Sequence, residues 1–223
     1  MSRTLRIVTV NLFNGAASPK ALGRFLQRTR PDVVATQELA PNAAAVLEAE
    51  FAHGRLEPRL DYLGAGLSLR HPALVERFPL AHRDGLRSTL LPGEWPQLSQ
   101  PLEVISVHIA NPLLRPFARY RAIRGRQVDQ ILDHVRAASA PRLLVGDFNA
   151  TPLWPVHRRL AGVLDDAAKA LGRPRRTWGL RWWAPRLLRI DHAFSQELVP
   201  VSVEVARIGG ADHSALILDI VAP

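Results

Sequence analysis

The sequence contains no cysteine, which excludes disulfide bonds, cysteine-ligated zinc and thiol chemistry anywhere in the chain. It also has no apolar run close to the roughly 18 residues that a membrane-spanning helix needs. The apolar stretch at residues 1–10 is interrupted by arginines and lacks a small-residue cleavage site. We therefore expect a cytoplasmic protein without a signal peptide or a transmembrane segment.

Acidic residues are in the minority, since 20 of them stand against 29 basic residues and give a net charge of +9. Lysine is almost missing, because every basic residue except Lys20 and Lys169 is an arginine. This balance favours polyanionic partners, namely nucleic acid, anionic lipid or phosphorylated metabolites. The alternative is an arginine preference that merely reflects genome base composition. Charge alone does not choose between these interpretations.

No internal repeat, low-complexity tract or interdomain linker interrupts the 223 residues, of which 47% are hydrophobic. A chain of this length and composition fits one sizeable domain with a substantial core. Strand-like and helix-like runs are mixed throughout its length. We therefore predict a single α/β domain over residues 1–223, with two or more layers of sheet.

Apolar periodicity and turn residues give a coarse order of elements. Ser18 and Pro19 are typical of a helix N-cap and first turn, and Pro31 breaks the helix that they open. Further helices are predicted at Pro41–Phe51, Phe117–Ala138, Val156–Leu160 and Asp166–Leu171. Strands are predicted at Leu5–Asn11, Val33–Glu38, Leu63–Leu69, Arg87–Leu91, Leu102–Ile109, Leu143–Val145, Arg189–Phe194, Val199–Val205 and Ala215–Val221, with a connection rich in proline and arginine between the third and the fourth.

The stretch at residues 143–149 places a short buried strand directly before an acid and an amide. The strand is expected to stop at Gly146. Residues two apart on an extended chain point the same way, so Asp147 and Asn149 should project together while Phe148 turns into the protein. A carboxylate beside an amide can orient a water molecule and hydrogen-bond a phosphate oxygen. The alternative is an ordinary exit from a strand, where these residue types are favoured.

Carboxylate, amide and imidazole side chains recur where the predicted strands end. In α/β proteins, catalytic groups gather at such ends. Each residue alone has a plain explanation as a turn residue, a surface acid or a hydrogen-bonded histidine, but that explanation is weak for all of them jointly. The candidate site residues are Asn11, Glu38, His108, Asp147, Asn149, Asp191, Asp212 and His213.

With these residues in place, the sequence resembles the endonuclease/exonuclease/phosphatase superfamily of DNase I-like metal-dependent phosphodiesterases. Gly146–Asn149 matches the family's Gly-Asp-Phe-Asn outright, whereas Leu69 and His71 depart from its Leu-Leu-Ser-Arg-aromatic-Pro segment and Ala211 replaces a serine. The matching segments, in order along nearly the whole chain, are Val10-Asn11, Gln37-Glu38, Leu67–Pro72, Val107–Ile109, Gly146–Asn149, Arg189–His192 and Ala211–His213.

The resemblance implies a four-layer α/β/β/α sandwich of two mixed sheets, with helices outside. It also implies a cofactor, because Glu38 assisted by Asn11 would hold Mg²⁺ or Mn²⁺, hard cations that prefer oxygen ligands. Asp212 could share that metal ion or bind a second one.

The remaining roles that the resemblance implies concern the reaction itself. Asp147, with Asn149 beside it, would position and polarise the attacking water. His213 would lie against the scissile phosphate with its ring oriented by Asp191, and His108 would donate to a phosphate oxygen or to the leaving group. A metal ion and two imidazoles can neutralise the charge of a phosphodiester transition state.

A loop between Arg173 and Arg189 alternates arginines with three tryptophans and should flank the site. It is interpreted as a nucleic-acid surface, as a lipid-facing loop, or as a loop with its tryptophans packed beneath it. The candidate substrate-binding residues are Arg70, Trp178, Arg181 and Trp182.

The function predicted first is a Mg²⁺-dependent nuclease, an endonuclease or exonuclease that hydrolyses phosphodiester bonds in DNA or RNA. Nucleic acid is then the expected substrate, and a monomer without an obligate protein partner is expected. The alternative within the same chemistry is a phosphatase or a sphingomyelinase-like phospholipase acting on a phosphorylated metabolite or lipid head group. From a different class, the chain could be a catalytically idle binding module, against which the complete set of polar residues argues.

Overall fold

The computed structural model describes residues 4–137 and 140–221. The helices in these ranges are α1 (Pro19–Thr29), α2 (Pro41–Glu50), α3 (Phe117–Ala137), α4 (Pro155–Leu160) and α5 (Ala167–Ala170). The strands are β1 (Thr4–Asn11), β2 (Val33–Gln37), β3 (His53–Glu57), β4 (Ala65–Leu69), β5 (Val75–Phe78), β6 (Gly85–Leu90), β7 (Leu102–His108), β8 (Arg142–Asp147), β9 (Asp165–Asp166), β10 (Asp191–Gln196), β11 (Val199–Arg207) and β12 (Ser214–Val221).

The strands form two mixed sheets of six strands each. Sheet A has the order β11-β12-β1-β2-β4-β3, and sheet B has the order β5-β6-β7-β8-β10-β9. Each sheet holds one parallel pair, β1 with β2 and β7 with β8, and its other neighbouring strands are antiparallel.

Three apolar clusters separate four layers. The first fills the space between the sheets and includes Leu67 and Leu218 of sheet A with Leu102 and Leu143 of sheet B. The second packs α1 and α2 on the outer face of sheet A, and the third packs α3 and α4 on the outer face of sheet B. The predicted α/β/β/α sandwich is therefore confirmed. No helix in the described ranges is long and apolar enough to cross a membrane.

The N-terminus of α1 is capped by Ser18, as the sequence predicts. Ser18 has an extended backbone, its hydroxyl accepts the amide hydrogen of Ala21, and Pro19 occupies the first turn where no amide hydrogen is needed. Leu22, Phe25 and Leu26 are buried along one face, as their spacing predicts.

Several predicted boundaries need correction. Strand β8 does not stop at Gly146 but continues to Asp147, because its pairing with β7 continues through both residues. The glycine is needed for close packing rather than as a strand end, since its φ is +141° and a Cβ there would lie 1.9 Å from the carbonyl oxygen of Val107. Strands β3, β5 and β9 lie in segments where none was predicted, since they are two to five residues long and carry charged side chains. Ala138, the last residue predicted for α3, lies outside the described residues.

The topology brings several strand ends to one edge of the sandwich. The parallel pairing of β1 with β2 sets Asn11 opposite Gln37, and that of β7 with β8 sets His108 opposite Asp147. Strand β10 begins at the same place, since Asp191 is opposite Asp147. Strand β12 also begins there, because it runs antiparallel to β1. Both sheets therefore contribute residues to one end of the space between them.

Candidate active site

A cavity of about 370 Å³ opens at this end of the sandwich. Six of the predicted site residues line it, namely Glu38, His108, Asp147, Asn149, Asp212 and His213. Asn11 and Asp191 are buried behind its wall and hydrogen-bond to residues that line it. The structure thus brings together all the acids, amides and imidazoles that the sequence singled out.

Asn11 links the carboxylates of the two sheets. Its Nδ2 donates to Glu38 Oε1 at 3.0 Å and to Asp147 Oδ2 at 3.1 Å, while its Oδ1 accepts the amide hydrogen of Phe13 at 2.9 Å. Both ends of the amide are therefore engaged, and its two donated hydrogen bonds position the carboxylates of Glu38 and Asp147. Glu38 has φ of +52° just after β2, and burial raises the pKa of its carboxyl.

Asp147 and Asn149 meet as predicted, although through a turn rather than an extended strand. Asn149 has φ of +47°, its backbone amide donates to Asp147 Oδ1 at 2.8 Å, and its Nδ2 donates to Asp147 Oδ2 at 3.2 Å. Phe148, between them, is fully buried in the apolar cluster on the outer face of sheet B. Burial raises the pKa of Asp147, with a further rise from the neighbouring Asp191.

His213 is oriented by Asp191, because its Nδ1 lies 2.9 Å from Asp191 Oδ2. The carboxylate holds the hydrogen on Nδ1 and leaves Nε2 toward Asp147 Oδ2 at 3.8 Å. Although burial opposes protonation, Asp191 and Asp147 raise the pKa of His213 to about 10. The imidazole is therefore cationic at neutral pH, which suits a group placed against a phosphate.

His108 has a neighbour that the sequence did not reveal. Arg83, only 8% exposed, donates from Nη1 to the carbonyl oxygen of Tyr62 at 2.8 Å and also contacts His108 Nδ1. A guanidinium only donates, so His108 Nδ1 is the acceptor and its hydrogen is on Nε2, 3.4 Å from Asp147 Oδ2. Burial and the Arg83 charge hold the pKa of His108 well below its usual range, so this imidazole is neutral.

The carboxylates fit a divalent cation. Asp212 Oδ2 accepts from Trp178 Nε1 at 3.0 Å, whereas its Oδ1 is buried and has no hydrogen-bond partner within the described chain. A buried carboxylate oxygen without a partner is costly, and a metal ion would satisfy it. The tight group of Asp147, Asp191 and His213 also has metal-ligand spacing, but its own hydrogen bonds largely close it.

Of the four predicted substrate-binding residues, Trp178 alone is among those that line the cavity. Arg181 and Trp182 lie exposed on the loop beyond it. Trp182 and Trp183 do not pack beneath this loop, so that interpretation fails for them. Arg70 is not brought to the site: it follows Leu69, which pairs with Val33 at the far end of β2, and it contacts Phe51 and the Pro31 carbonyl.

Two mixed six-stranded sheets packed between layers of helices form a DNase I-like sandwich. A model of the Endonuclease/Exonuclease/phosphatase family matches residues 8–213, and the chain belongs to this family. The resemblance seen in the sequence is confirmed. Members of the family are hydrolases acting on phosphoester bonds and generally depend on divalent metal ions.

Solved structures show the same fold. The endonuclease/exonuclease/phosphatase from Bacteroides vulgatus is 15% identical with a TM-score of 0.75, covering 99% of this chain and 100% of that one. Humanized TDP2 of D. rerio is 21% identical with a TM-score of 0.73, covering 97% and 98%. The 3' phosphatase NExo from Neisseria, bound to product DNA hairpin, is 16% identical with a TM-score of 0.72, covering 96% and 98%. No curated protein matches the chain by sequence.

Proposed function

We propose that this chain is a Mg²⁺- or Mn²⁺-dependent phosphodiester hydrolase. The observation that carries the proposal is the convergence of groups from both sheets on one cavity, with Glu38 and Asp212 from sheet A facing His108 and Asp147 from sheet B. Such a set offers oxygen ligands for a hard cation, a carboxylate for a water molecule and two imidazoles for a phosphate. An idle binding module has no need of this combination.

Glu38 and Asp212 would hold the metal ion, because both face the cavity and Asp212 Oδ1 has no hydrogen-bond partner in the described chain. A bound divalent ion supplies charge that neutralises the phosphate oxygens as the reaction proceeds. Asn11 keeps Glu38 and Asp147 at fixed spacing through its two donated hydrogen bonds.

Asp147 orients the attacking water, and Asn149 fixes the carboxylate that does so. His213, made cationic by Asp191, stabilises negative charge on a phosphate oxygen. His108 donates from Nε2, because Arg83 occupies its Nδ1. The two imidazoles thus have different roles: the cationic His213 stabilises negative charge, and the neutral His108 donates a hydrogen bond.

Nucleic acid remains the substrate that we propose first. The chain is strongly basic, and the related NExo structure contains a product DNA hairpin. Aromatic rings of Trp154 and Trp178 line the cavity and offer faces for stacking bases. A phosphorylated lipid is the second candidate, and the leucines around the cavity, which neither bases nor phosphates need, favour it.

The proposal is tested with a panel of substrates and Mg²⁺ or Mn²⁺, each with and without chelator. The panel contains plasmid DNA, single-stranded DNA, RNA, sphingomyelin vesicles and bis-p-nitrophenyl phosphate. We expect metal-dependent hydrolysis of at least the generic diester. Glu38→Gln should lose it, whereas the exposed Glu48→Gln on α2 serves as a matched control and should keep it.

The identity of the cleaved substrate then decides the class. Cleavage of DNA or RNA, with affinity that falls steeply as salt rises, supports the nuclease because arginine–phosphate contacts release counterions. Hydrolysis of the lipid or the generic diester without nucleic-acid cleavage supports the second candidate. Hydrolysis that survives chelator, or that is unchanged in Glu38→Gln, would contradict the metal-dependent mechanism.

A further inference from the structure

Large apolar side chains are exposed around the mouth of the cavity. Six of them, between 55 and 84% exposed, form what we call the apolar rim: Leu60, Leu113, Leu153, Leu180, Trp182 and Trp183. Folded proteins seldom expose a group of large apolar residues around one site unless another surface covers it.

The rim residues belong to the loops that build the cavity wall. Leu113 itself lines the cavity, and Leu153 directly precedes the lining residue Trp154. Leu60 lies two residues before Tyr62, which also lines it. The other three rim residues lie on the loop between Trp178 and Leu188, both of which line it as well. The rim residues therefore lie on or next to four different segments that line the cavity.

The loop of residues 178–188 is held firmly at its base. Leu187 N donates to Trp178 O at 2.6 Å, and Trp178 N donates to Leu188 O at 2.9 Å. Arg186 ties the loop to β12 through Ser214 Oγ at 2.9 Å. Gly179 allows the chain to close, because a Cβ there would lie 2.5 Å from the Pro185 carbonyl oxygen. Leu180, Trp182 and Trp183 thus project from an anchored loop.

The chemistry of the rim distinguishes between two kinds of polyanion. Tryptophan and arginine suit both a nucleic acid and a membrane surface. The four leucines make neither base stacks nor phosphate contacts, yet they suit the boundary between lipid head groups and acyl chains. Arg181 within the loop of residues 178–188, and Arg173, Arg175 and Arg176 in the segment that leads into it, are exposed and favour an anionic surface. Exposed leucine side chains together with arginines therefore suit a lipid surface better than a nucleic acid.

We propose that the apolar rim docks this protein on an anionic lipid bilayer, with the cavity facing the head groups. The rim enters the boundary region while the arginines contact lipid phosphates or carboxylates. A phosphodiester in a head group then lies at the entrance, next to Glu38, His108 and His213. The docking favours the second substrate candidate of the proposed function, the lipid, over nucleic acid, and it rests on that function only for the hydrolytic step.

The test measures binding in the presence of chelator, so that it does not depend on hydrolysis. The full chain is sedimented with phosphatidylcholine vesicles that contain or lack phosphatidylserine, and tryptophan fluorescence is recorded. We expect binding to the anionic vesicles, a blue shift, and affinity at least about tenfold lower for the triple variant Leu180→Ser/Trp182→Ser/Trp183→Ser. Circular dichroism establishes that the variant folds.

A matched control uses apolar residues exposed at the opposite end of the sheets. Leu91 follows Leu90, which pairs with the first residue of β7, and Val199 pairs with the last residue of β12. Leu91→Ser/Val199→Ser should bind anionic vesicles like the unaltered protein. The double variant Leu180→Ser/Trp183→Ser, which keeps the candidate substrate-binding residue Trp182, should still hydrolyse the soluble bis-p-nitrophenyl phosphate at the normal rate, because its substitutions lie outside the cavity.

The outcomes separate the docking from the chemistry. Vesicle binding without hydrolysis of any diester overturns the proposed function and keeps the docking surface. Hydrolysis without vesicle binding overturns the docking. If the unaltered chain binds single-stranded oligonucleotides instead, and the triple variant loses that binding, the rim is a nucleic-acid surface and the lipid proposal is wrong.

Discussion

Two buried groups of acid and histidine lie on opposite faces of strand β10. Asp191 joins Asp147 and His213 on the face between the sheets, whereas the next residue, His192, joins His157 and Asp166 on the outer face. Within each group the potential ligand atoms lie within 4.8 Å of one another. By residue type and spacing alone, both groups fit a metal ion.

The neighbours of the two groups differ. In the outer group, Asp166 receives both terminal nitrogens of Arg189 at 2.9 and 2.5 Å and His157 at 2.9 Å. It also caps α5, accepting the amide hydrogens of Ala168 and Lys169. Every oxygen of this carboxylate is engaged by the protein itself. The inner group borders an open cavity, where Asp212 Oδ1 has no hydrogen-bond partner in the described chain.

Side chains of metal-ligand type form a binding site only where a ligand can reach atoms that the protein's own hydrogen bonds have not occupied. The outer group is closed by an arginine and therefore ties α4, α5 and β10 together, which is a structural role. The oxygens of the inner group are also hydrogen-bonded, but Asp147 and His213 line a cavity beside Asp212, whose Oδ1 has no hydrogen-bond partner in the described chain, so a ligand can reach them. We predict that substitutions in the inner group change turnover and that those in the outer group change stability.

The largest expected effect is on turnover in Asp147→Asn. This change removes the charge that orients the water with little change of shape, so hydrolysis should fall by about 10³-fold. The melting temperature should not fall, because the change removes a negative charge that burial and the neighbouring Asp191 make unfavourable. Steady-state kinetics and thermal unfolding measure both, and the exposed Asp133→Asn on α3 is the control. Full activity in Asp147→Asn would mean that another group orients the water.

The next effect is on the free energy of unfolding in Asp166→Asn. The change leaves the buried Arg189 guanidinium without its partner and should cost about 3–5 kcal/mol, with activity per folded molecule retained. Denaturant titration measures the loss, and the exposed neighbour Asp165→Asn is the control. A stable variant without activity would reverse the roles of the two groups.

The pKa of Asp166 also determines how the stability of the protein depends on pH. Burial alone would raise its pKa, but the bonds from His157 and Arg189 lower the pKa below its ordinary value. A carboxyl with a lowered pKa in the folded state contributes stability above its unfolded pKa, and this is lost as the pH falls. The unaltered protein should therefore lose stability below about pH 4, and Asp166→Asn should lose less over that range.

The convergence of the candidate residues on one cavity could be predicted because the information for it is local. Glu38, His108 and Asp147 stand at the ends of apolar runs, and parallel pairing brings such ends together. The role of Arg83 could not be predicted in this way. It lies in the turn between β5 and β6, and it reaches His108 only because β6 pairs with β7. Likewise, only the packing of α4 and α5 against β10 distinguishes the buried His157 and His192 from catalytic histidines.

A smaller effect is expected from Arg83→Met, which frees His108 Nδ1. The imidazole can then adopt either tautomer, and turnover should fall by about 10- to 100-fold. Removing the neighbouring cation should also raise the pKa of His108, so the limb of the pH–activity profile that it governs moves to higher pH. Arg87→Met, on the following strand β6 and outside the cavity lining, controls for the loss of an arginine. An unchanged profile would contradict a positioning role for Arg83.

The smallest effect is expected from Trp178→Phe, which keeps a ring in the cavity wall but removes the Nε1–H that donates to Asp212 Oδ2 at 3.0 Å. Losing one hydrogen bond to a carboxylate costs about 1–2 kcal/mol, so the half-saturating Mg²⁺ concentration should rise by about five- to thirtyfold at unchanged saturated turnover. Trp182→Phe, exposed on the same loop, should leave it unchanged. Asp212 accepts a hydrogen bond on one oxygen and none on the other within the described residues, whereas Asp166 accepts on both, so this variant tests whether one hydrogen bond positions a carboxylate for metal binding. Equal Mg²⁺ dependence in Trp178→Phe and the unaltered protein would mean that Asp212 does not ligate the ion.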